Sequence, residues 1–159
     1  NNTPSNCDTY GGLYLWNEMM NYTTTEGSQG ICPVDWHVPS DGEWFSMENF
    51  LDPNVNNPSQ LYWRGYDIGG KLKETGYTHW NGPNSGATNS SGMTVLGSGL
   101  RTSGGGFSGL KSLAMFMTST EYYSGAGNAW GREIDYNKQQ SYRNAPTKTY
   151  YYSVRCVKD

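Results

Sequence analysis

The stretch Cys32-Pro-Val-Asp-Trp-His-Val-Pro-Ser-Asp-Gly-Glu-Trp44 concentrates more structural signals than any other part of the chain. Pro33 and Pro39 fix φ and remove backbone donors, so the segment is extended and not helical. Ser40 with Glu43 three residues on is a capping box, which predicts a helix starting at Asp41. Trp44, Met47, Phe50 and Leu51 recur at spacings that predict one buried face for that helix. Cys32 heads the stretch, and its best candidate partner is Cys156, close to the opposite end of the chain. If the two join, the stretch ties both ends of the domain together. The chain-entropy model gives such a bond about 4–5 kcal/mol, less any strain.

Working outward, 159 residues are enough for one domain, 1–159, with a real core. The 21 glycines, 13 tyrosines and 6 tryptophans, with abundant Ser, Thr and Asn, point to loops and short strands over a small helical part. A net charge of −3 with no basic run excludes the electrostatic footprint of a nucleic-acid or anionic-membrane binder. No run approaches the roughly 18 apolar residues that would span a bilayer. The sequence starts at Asn1 with neither Met nor a signal peptide, so it reads as the C-terminal domain of a longer exported protein. Three cysteines imply one pair and one orphan, Cys7, whose partner would lie upstream of Asn1. Richness in Tyr, Asn, Gly and Thr with few charges favours export over the alternative of three reduced thiols in the cytosol.

Residues 1–12 form a turn-rich lead-in, and Leu13, Trp16, Met19 and Met20 fit a helical face. After the helix at Asp41, residues 52–59 must be a loop. Residues 60–73 read as short helical turns around Gly65, Gly69 and Gly70, and residues 74–92 as a long irregular segment anchored by Trp80. Strands are expected over 93–101, 113–119, 128–136, 140–145 and 150–157, the last rich in Tyr and Val. Helices first and strands last argue for an α+β fold: two N-terminal helices plus a twisted antiparallel sheet from the C-terminal half, with long irregular loops.

The chain resembles the Fibrobacter succinogenes major paralogous domain family. The matching pieces are Tyr10-Gly-Gly-Leu-Tyr-Leu-Trp16, Cys32-Pro33 through Trp36-His-Val-Pro-Ser40 with Glu43-Trp44, and Gly69-Gly-Lys-Leu-Lys73. Thr118-Ser-Thr-Glu121, Ala129-Trp130 and Ser153-Val-Arg-Cys-Val-Lys-Asp159 complete the match, in order over nearly the whole chain. The resemblance implies a C-type-lectin-like fold akin to the formylglycine-generating-enzyme superfamily. It also implies export, often on surface lipoproteins or adhesin-like proteins of Bacteroidetes and Fibrobacter relatives. In such lectins a helix-side cysteine pairs with one on the last strand, as Cys32 and Cys156 would. Family members often carry a further upstream cysteine, which would account for the orphan Cys7. No catalytic residues come with the family. The Glu-Pro-Asn or Gln-Pro-Asp loop and the Trp-Asn-Asp strand with which C-type lectins hold Ca²⁺ and sugar are both missing from this sequence. Beyond Cys32 and Cys156 there is no thiol pair of the formylglycine-generating type.

The local motifs point away from catalysis. Gly104-Gly-Gly-Phe-Ser-Gly109 satisfies the dinucleotide glycine pattern, but its flanks offer no strand–loop–helix unit. Asp52, Asn54 and Asn56 copy the first positions of an EF-hand, yet Asn57 and Trp63 stand where Gly and Glu are required. A looser oxygen-ligand Ca²⁺ site stays open with no identifiable ligands, and otherwise no cofactor is expected. His37 reads as structural, and no His or Cys spacing suggests zinc. Glu133 and Asp135 would share a strand face, a pairing too generic for glycoside chemistry. No nucleophile has a recognisable base, so no enzyme activity is expected.

The C-terminal third carries the candidate ligand surface: Tyr122, Tyr123, Trp130, Arg132, Asp135, Tyr136, Asn137, Gln139, Tyr142, Arg143 and Asn144. Tyr supplies rigid contact area with a polar tip, and Asn and Gln supply adaptable hydrogen bonds, a mixture found in paratopes. Residues 135–152 also have the Tyr, Asn, Asp and Ser flavour of the variable ends of diversity-generating retroelement proteins, by analogy only. The expectation is an extracellular binding or adhesion module on the bacterial surface that engages a host or bacterial surface protein or a glycan. The alternative is a pilus-tip or surface-assembly subunit that docks an upstream domain or a pilus subunit. A formylglycine-type enzyme is the remote third reading.

Overall fold

The computed structural model describes residues 3–159, so Asn1 and Asn2 of the lead-in lie outside the described residues. In chain order the elements are α1 (Pro4–Tyr10), α2 (Trp16–Met19), β1 (Trp36–His37), α3 (Asp41–Leu51), β2 (Tyr62–Arg64), α4 (Ile68–Leu72), β3 (Leu100–Arg101), β4 (Phe107–Ser108), β5 (Leu113–Glu121), β6 (Ala129–Asp135), β7 (Ser141–Asn144) and β8 (Val157–Lys158). The main sheet is antiparallel with strand order β2-β7-β6-β5, and β1-β8 and β3-β4 form two small antiparallel pairs. The architecture is α+β with few helices and antiparallel sheets, as the order of elements predicts.

The capping box forms. Ser40 Oγ accepts the Glu43 amide at 3.2 Å, and Glu43 Oε2 accepts the Ser40 amide at 2.8 Å, so α3 starts at Asp41. Its buried face differs from the expected one. Trp44 is buried, but Phe50 is 85% exposed and Glu48 is fully buried. Six residues at 100° each put Phe50 about 120° away from Trp44, whereas Glu48, four residues on, shares its face.

Three further expectations are corrected. The lead-in forms a helix, α1, started by Pro4, none of whose residues is buried. Residues 62–64 are a sheet strand, not helical turns. Residues 150–157 supply single bridges from Tyr151, Tyr152 and Ser153 instead of a continuous strand, and β8 begins only at Val157.

Both faces of β5 are covered over its first five residues, Leu113–Met117, and that part of the strand is continuously apolar. Met115 and Met117 face a core of Trp16, Met19, Met20 and Tyr152. Ala114 and Phe116 face another, built with Trp44, Ile68, Trp80 and Ile134. Trp80 anchors the long irregular segment, as expected, donating its indole N–H to Val95 O at 2.9 Å.

The Cys32–Cys156 disulfide is present and links residues 124 positions apart. Beside it, β1 pairs with β8, and the His37 ring is hydrogen-bonded to Asp159 on one side and Glu43 on the other. The bond to Asp159 raises the His37 pKa above its ordinary value against a lowering by burial, and Glu43 adds to the rise.

Candidate ligand-binding site

Burial along β6 divides the candidate residues. Arg132 points inward and is fully buried, so it is corrected from the ligand surface to the core. Its Nε binds Glu48 Oε2 at 2.9 Å and its Nη1 binds Asp41 Oδ1 at 2.7 Å. Ser141 donates to the other Glu48 oxygen at 2.6 Å. Arg143, the cross-strand partner of Arg132, gives Nε and Nη2 to Asp41. Burial works to raise the Asp41 pKa, and the Arg143 and Arg132 guanidiniums overcome it and hold the carboxyl below its usual range. Arg64 completes the cluster, with Nη2 3.6 Å from Glu48 Oε2 and no hydrogen bond to Nε, Nη1 or Nη2. Three arginines thus face two carboxylates under the sheet, and burial pulls the Arg64 pKa down.

A second group of candidates sits at the β6–β7 turn and is committed internally. Lys73 is fully buried and donates its ammonium to the carbonyls of Ser85, Asp135 and Lys138 at 2.8–3.0 Å. Burial pushes its pKa down to about 8. The Tyr136 carbonyl accepts the Ser85 amide and the Gln139 carbonyl accepts the Gly70 amide. An added Cβ on Gly69 would lie 2.2 Å from Gln140 O, so α4 reaches the turn only with glycine there. Asp135 caps its own turn by accepting the Asn137 amide at 2.8 Å. The backbone of Asp135, Tyr136, Asn137 and Gln139 therefore serves the fold.

The remaining candidates gather at the opposite end of the sheet. Tyr122, Tyr123, Trp130, Arg143 and Asn144 line an open hollow of about 300 Å³ with Leu61, Tyr62, Asn128 and Ala145. Trp130 is held between groups: the Arg143 guanidinium carbon lies 3.5 Å from its ring centroid and Tyr122 packs edge-on at 4.9 Å. Tyr123 packs on Tyr122 at 5.3 Å. Tyr62, Tyr122 and Tyr123 are exposed aromatics, and Tyr62 holds φ at 66°, a strained left-handed conformation for a bulky residue. Tyr142 extends the aromatic surface by packing on Tyr62 and Trp63. Asn144 Oδ1 is buried without a hydrogen-bond partner.

Sequence reasoning missed Leu61, Tyr62, Asn128 and Ala145. The signal for the first two was readable: an apolar and aromatic run between Pro58-Ser59 and Gly65 is a short-strand pattern. Its neighbouring glycines pulled the reading towards helical turns.

Other expected features are placed as follows. The Gly104–Gly109 glycines lie in the β3–β4 hairpin, where the Gly105 amide bonds Thr102 O and the Thr102 amide bonds Gly106 O. The Asp52 carboxylate accepts from the Asn54, Tyr66 and Asp67 amides, stapling its loop. Glu133 and Asp135 share a face, and burial with the Asp135 charge raises the Glu133 pKa. His79 Nδ1 bonds Glu74. Cys7 is free and exposed. Among the described residues no cluster of three or more His, Cys, Asp or Glu could hold a metal ion, and no helix is long and apolar enough to cross a membrane.

No curated protein and no solved structure matches the chain. The description "Fibrobacter succinogenes major domain" matches residues 1–158. That match spans the capping box, the disulfide, the main sheet and the aromatic hollow, and the chain belongs to the Fibrobacter succinogenes major domain family.

Proposed function

We propose that this chain is an exported ligand-binding module with a C-type-lectin-like fold, displayed at the bacterial cell surface. It takes a protein or glycan ligand in the aromatic hollow at the end of the main sheet. The observation that carries this reading is the Tyr62–Tyr122–Tyr123 group around the braced Trp130. Exposed aromatics normally scatter singly; here they converge on one concavity with amide groups at its rim. The backbone strain at Tyr62 belongs to the same place, and such strain clusters at ligand sites. The lectin-like fold is supported by α3 near the start of the domain, the bond from its approach to the last strand, and the long irregular segment beside an antiparallel sheet. Export is supported by the same disulfide.

Glycan and surface-protein arrays probed with the pure domain test the reading. Binding is expected, with Tyr122→Ala and Trp130→Ala each weakening it at least tenfold. Tyr122→Ala should leave the melting temperature within a few degrees, because that side chain is about half exposed. No binding on either array, or variants that bind like the parent, would overturn it.

One observation favours an assembly subunit as a second reading. Cys7 is an exposed free thiol on a helix that buries none of its residues. That reading predicts docking through the α1 side of the domain, and a full-length parent that stays monomeric with no captured neighbour would sink it.

A further inference from the structure

The hollow has a charge that its tyrosines conceal. Its lining includes Arg143, whose cross-strand partner is Arg132, and Arg64, paired with Ser141 on the next strand, joins the same cluster through Glu48. Against these three cations stand two carboxylates, Asp41 and Glu48, so the cluster holds an excess of one positive charge in a chain whose net charge is −3. The nearest other acid in sequence to the rim, Glu121, is neutralised by Lys148 and also accepts the Gly125 amide. Little water screens charges buried under a sheet, so the excess acts on the hollow more strongly than a surface lysine would.

Two polar positions in the hollow have opposite needs. Asp41 takes Nε and Nη2 of Arg143, leaving Nη1 without a hydrogen-bond partner among the described residues. That group is a charged donor and calls for an anionic acceptor. Asn144 Oδ1 is an unpaired buried acceptor and calls for a hydroxyl or amide donor. In the same hollow the Tyr122 and Trp130 rings, packed edge-on at 4.9 Å, offer an apolar surface. A volume of about 300 Å³ lies at the small end of ligand sites, suited to one or two residues of a chain.

We propose that the hollow recognises a saccharide bearing a ring carboxylate, such as a uronic or sialic acid. The carboxylate faces Arg143, a hydroxyl donates to Asn144, and the ring packs on the Tyr122–Trp130 surface. This rests on the ligand-binding reading above and narrows its ligand class.

The probes are the methyl glycosides of glucuronic acid, galacturonic acid and N-acetylneuraminic acid, each paired with its carboxyl methyl ester. Titration into the isotope-labelled domain, followed by NMR at low and high salt, reads both affinity and position. At least one acid is expected to bind about tenfold tighter than its ester, shifting the Trp130 indole and Tyr122 signals, with the gap narrowing at high salt. Asn144→Asp puts a carboxylate into the hollow and should abolish the preference for the acid while the domain stays folded. Esters binding as well as the acids would overturn the acidic ligand and leave the hollow as the binding site. Acids that do not bind, while an array ligand still needs Tyr122 and Trp130, would also overturn it without touching the broader reading. Failure of the arrays themselves would remove both.

Discussion

The two ends of the main sheet are made of similar residues and behave differently. At the β6–β7 turn, which carries Tyr136, Asn137 and Gln139, a buried Lys73 gives its three ammonium donors to the carbonyls of Ser85, Asp135 and Lys138. At the other end, Tyr122, Tyr123 and Asn144 surround Arg143, which keeps a donor free and leaves the Asn144 oxygen unpaired. Buried polar groups are normally satisfied within the fold. The Lys73 ammonium obeys that rule, whereas the Asn144 oxygen at the hollow does not.

The largest effect should come from a change that leaves this contrast intact. Cys32→Ser opens a bond between residues 124 positions apart and should cost about 4–5 kcal/mol in the chain-entropy model, lowering the melting temperature by on the order of 10 °C. Both ends should lose protection together in hydrogen exchange. An unchanged melting temperature under oxidising conditions would show that the bond contributes nothing.

Lys73→Met should break the contrast. It strands three carbonyls and should cost about 3 kcal/mol, read by urea denaturation. Amides of the β6–β7 turn should exchange faster while those around Trp130 keep their rates. Equal loosening at both ends would mean that the turn is not separately pinned.

The smallest effect is a pH dependence at neither end, which sharpens the contrast by supplying a common reference. His37 has a raised pKa through its hydrogen bond to Asp159, with burial opposing and Glu43 assisting. A raised folded value means that the native state holds the proton more tightly. Its stabilisation is therefore complete below the unfolded value of about 6.5 and is lost as pH rises through the folded value. The melting temperature should fall slightly as pH rises above the unfolded value of about 6.5. In His37→Gln the slope should vanish; a slope that persists would place it on another group.

Much of the frame was legible because it rests on local chemistry. Ser40 with Glu43 set the start of α3, the run 113–119 announced a strand, and the two structural cysteines found each other. The site was legible only in part. Of the residues expected on a ligand surface, Tyr122, Tyr123, Trp130, Arg143 and Asn144 line one hollow, whereas Arg132 is buried in the core. Whether a strand arginine faces water or an acidic partner depends on Glu48 and Asp41, which lie 84 and 91 residues away. Tyr62 was missed for a similar reason: its strand exists through pairing with β7, and a three-residue strand carries almost no periodicity of its own.

The Cys32–Cys156 bond also has a mechanical meaning. A pull applied between the two ends of the described chain crosses from Cys32 to Cys156 through a covalent link. Residues 33–155 then form a closed loop off the load path, and that loop contains the whole main sheet and the hollow. Under such a pull the segments before Cys32 and after Cys156 bear the load first, and the former carries Trp16, Met19 and Met20, which pack on one face of β5.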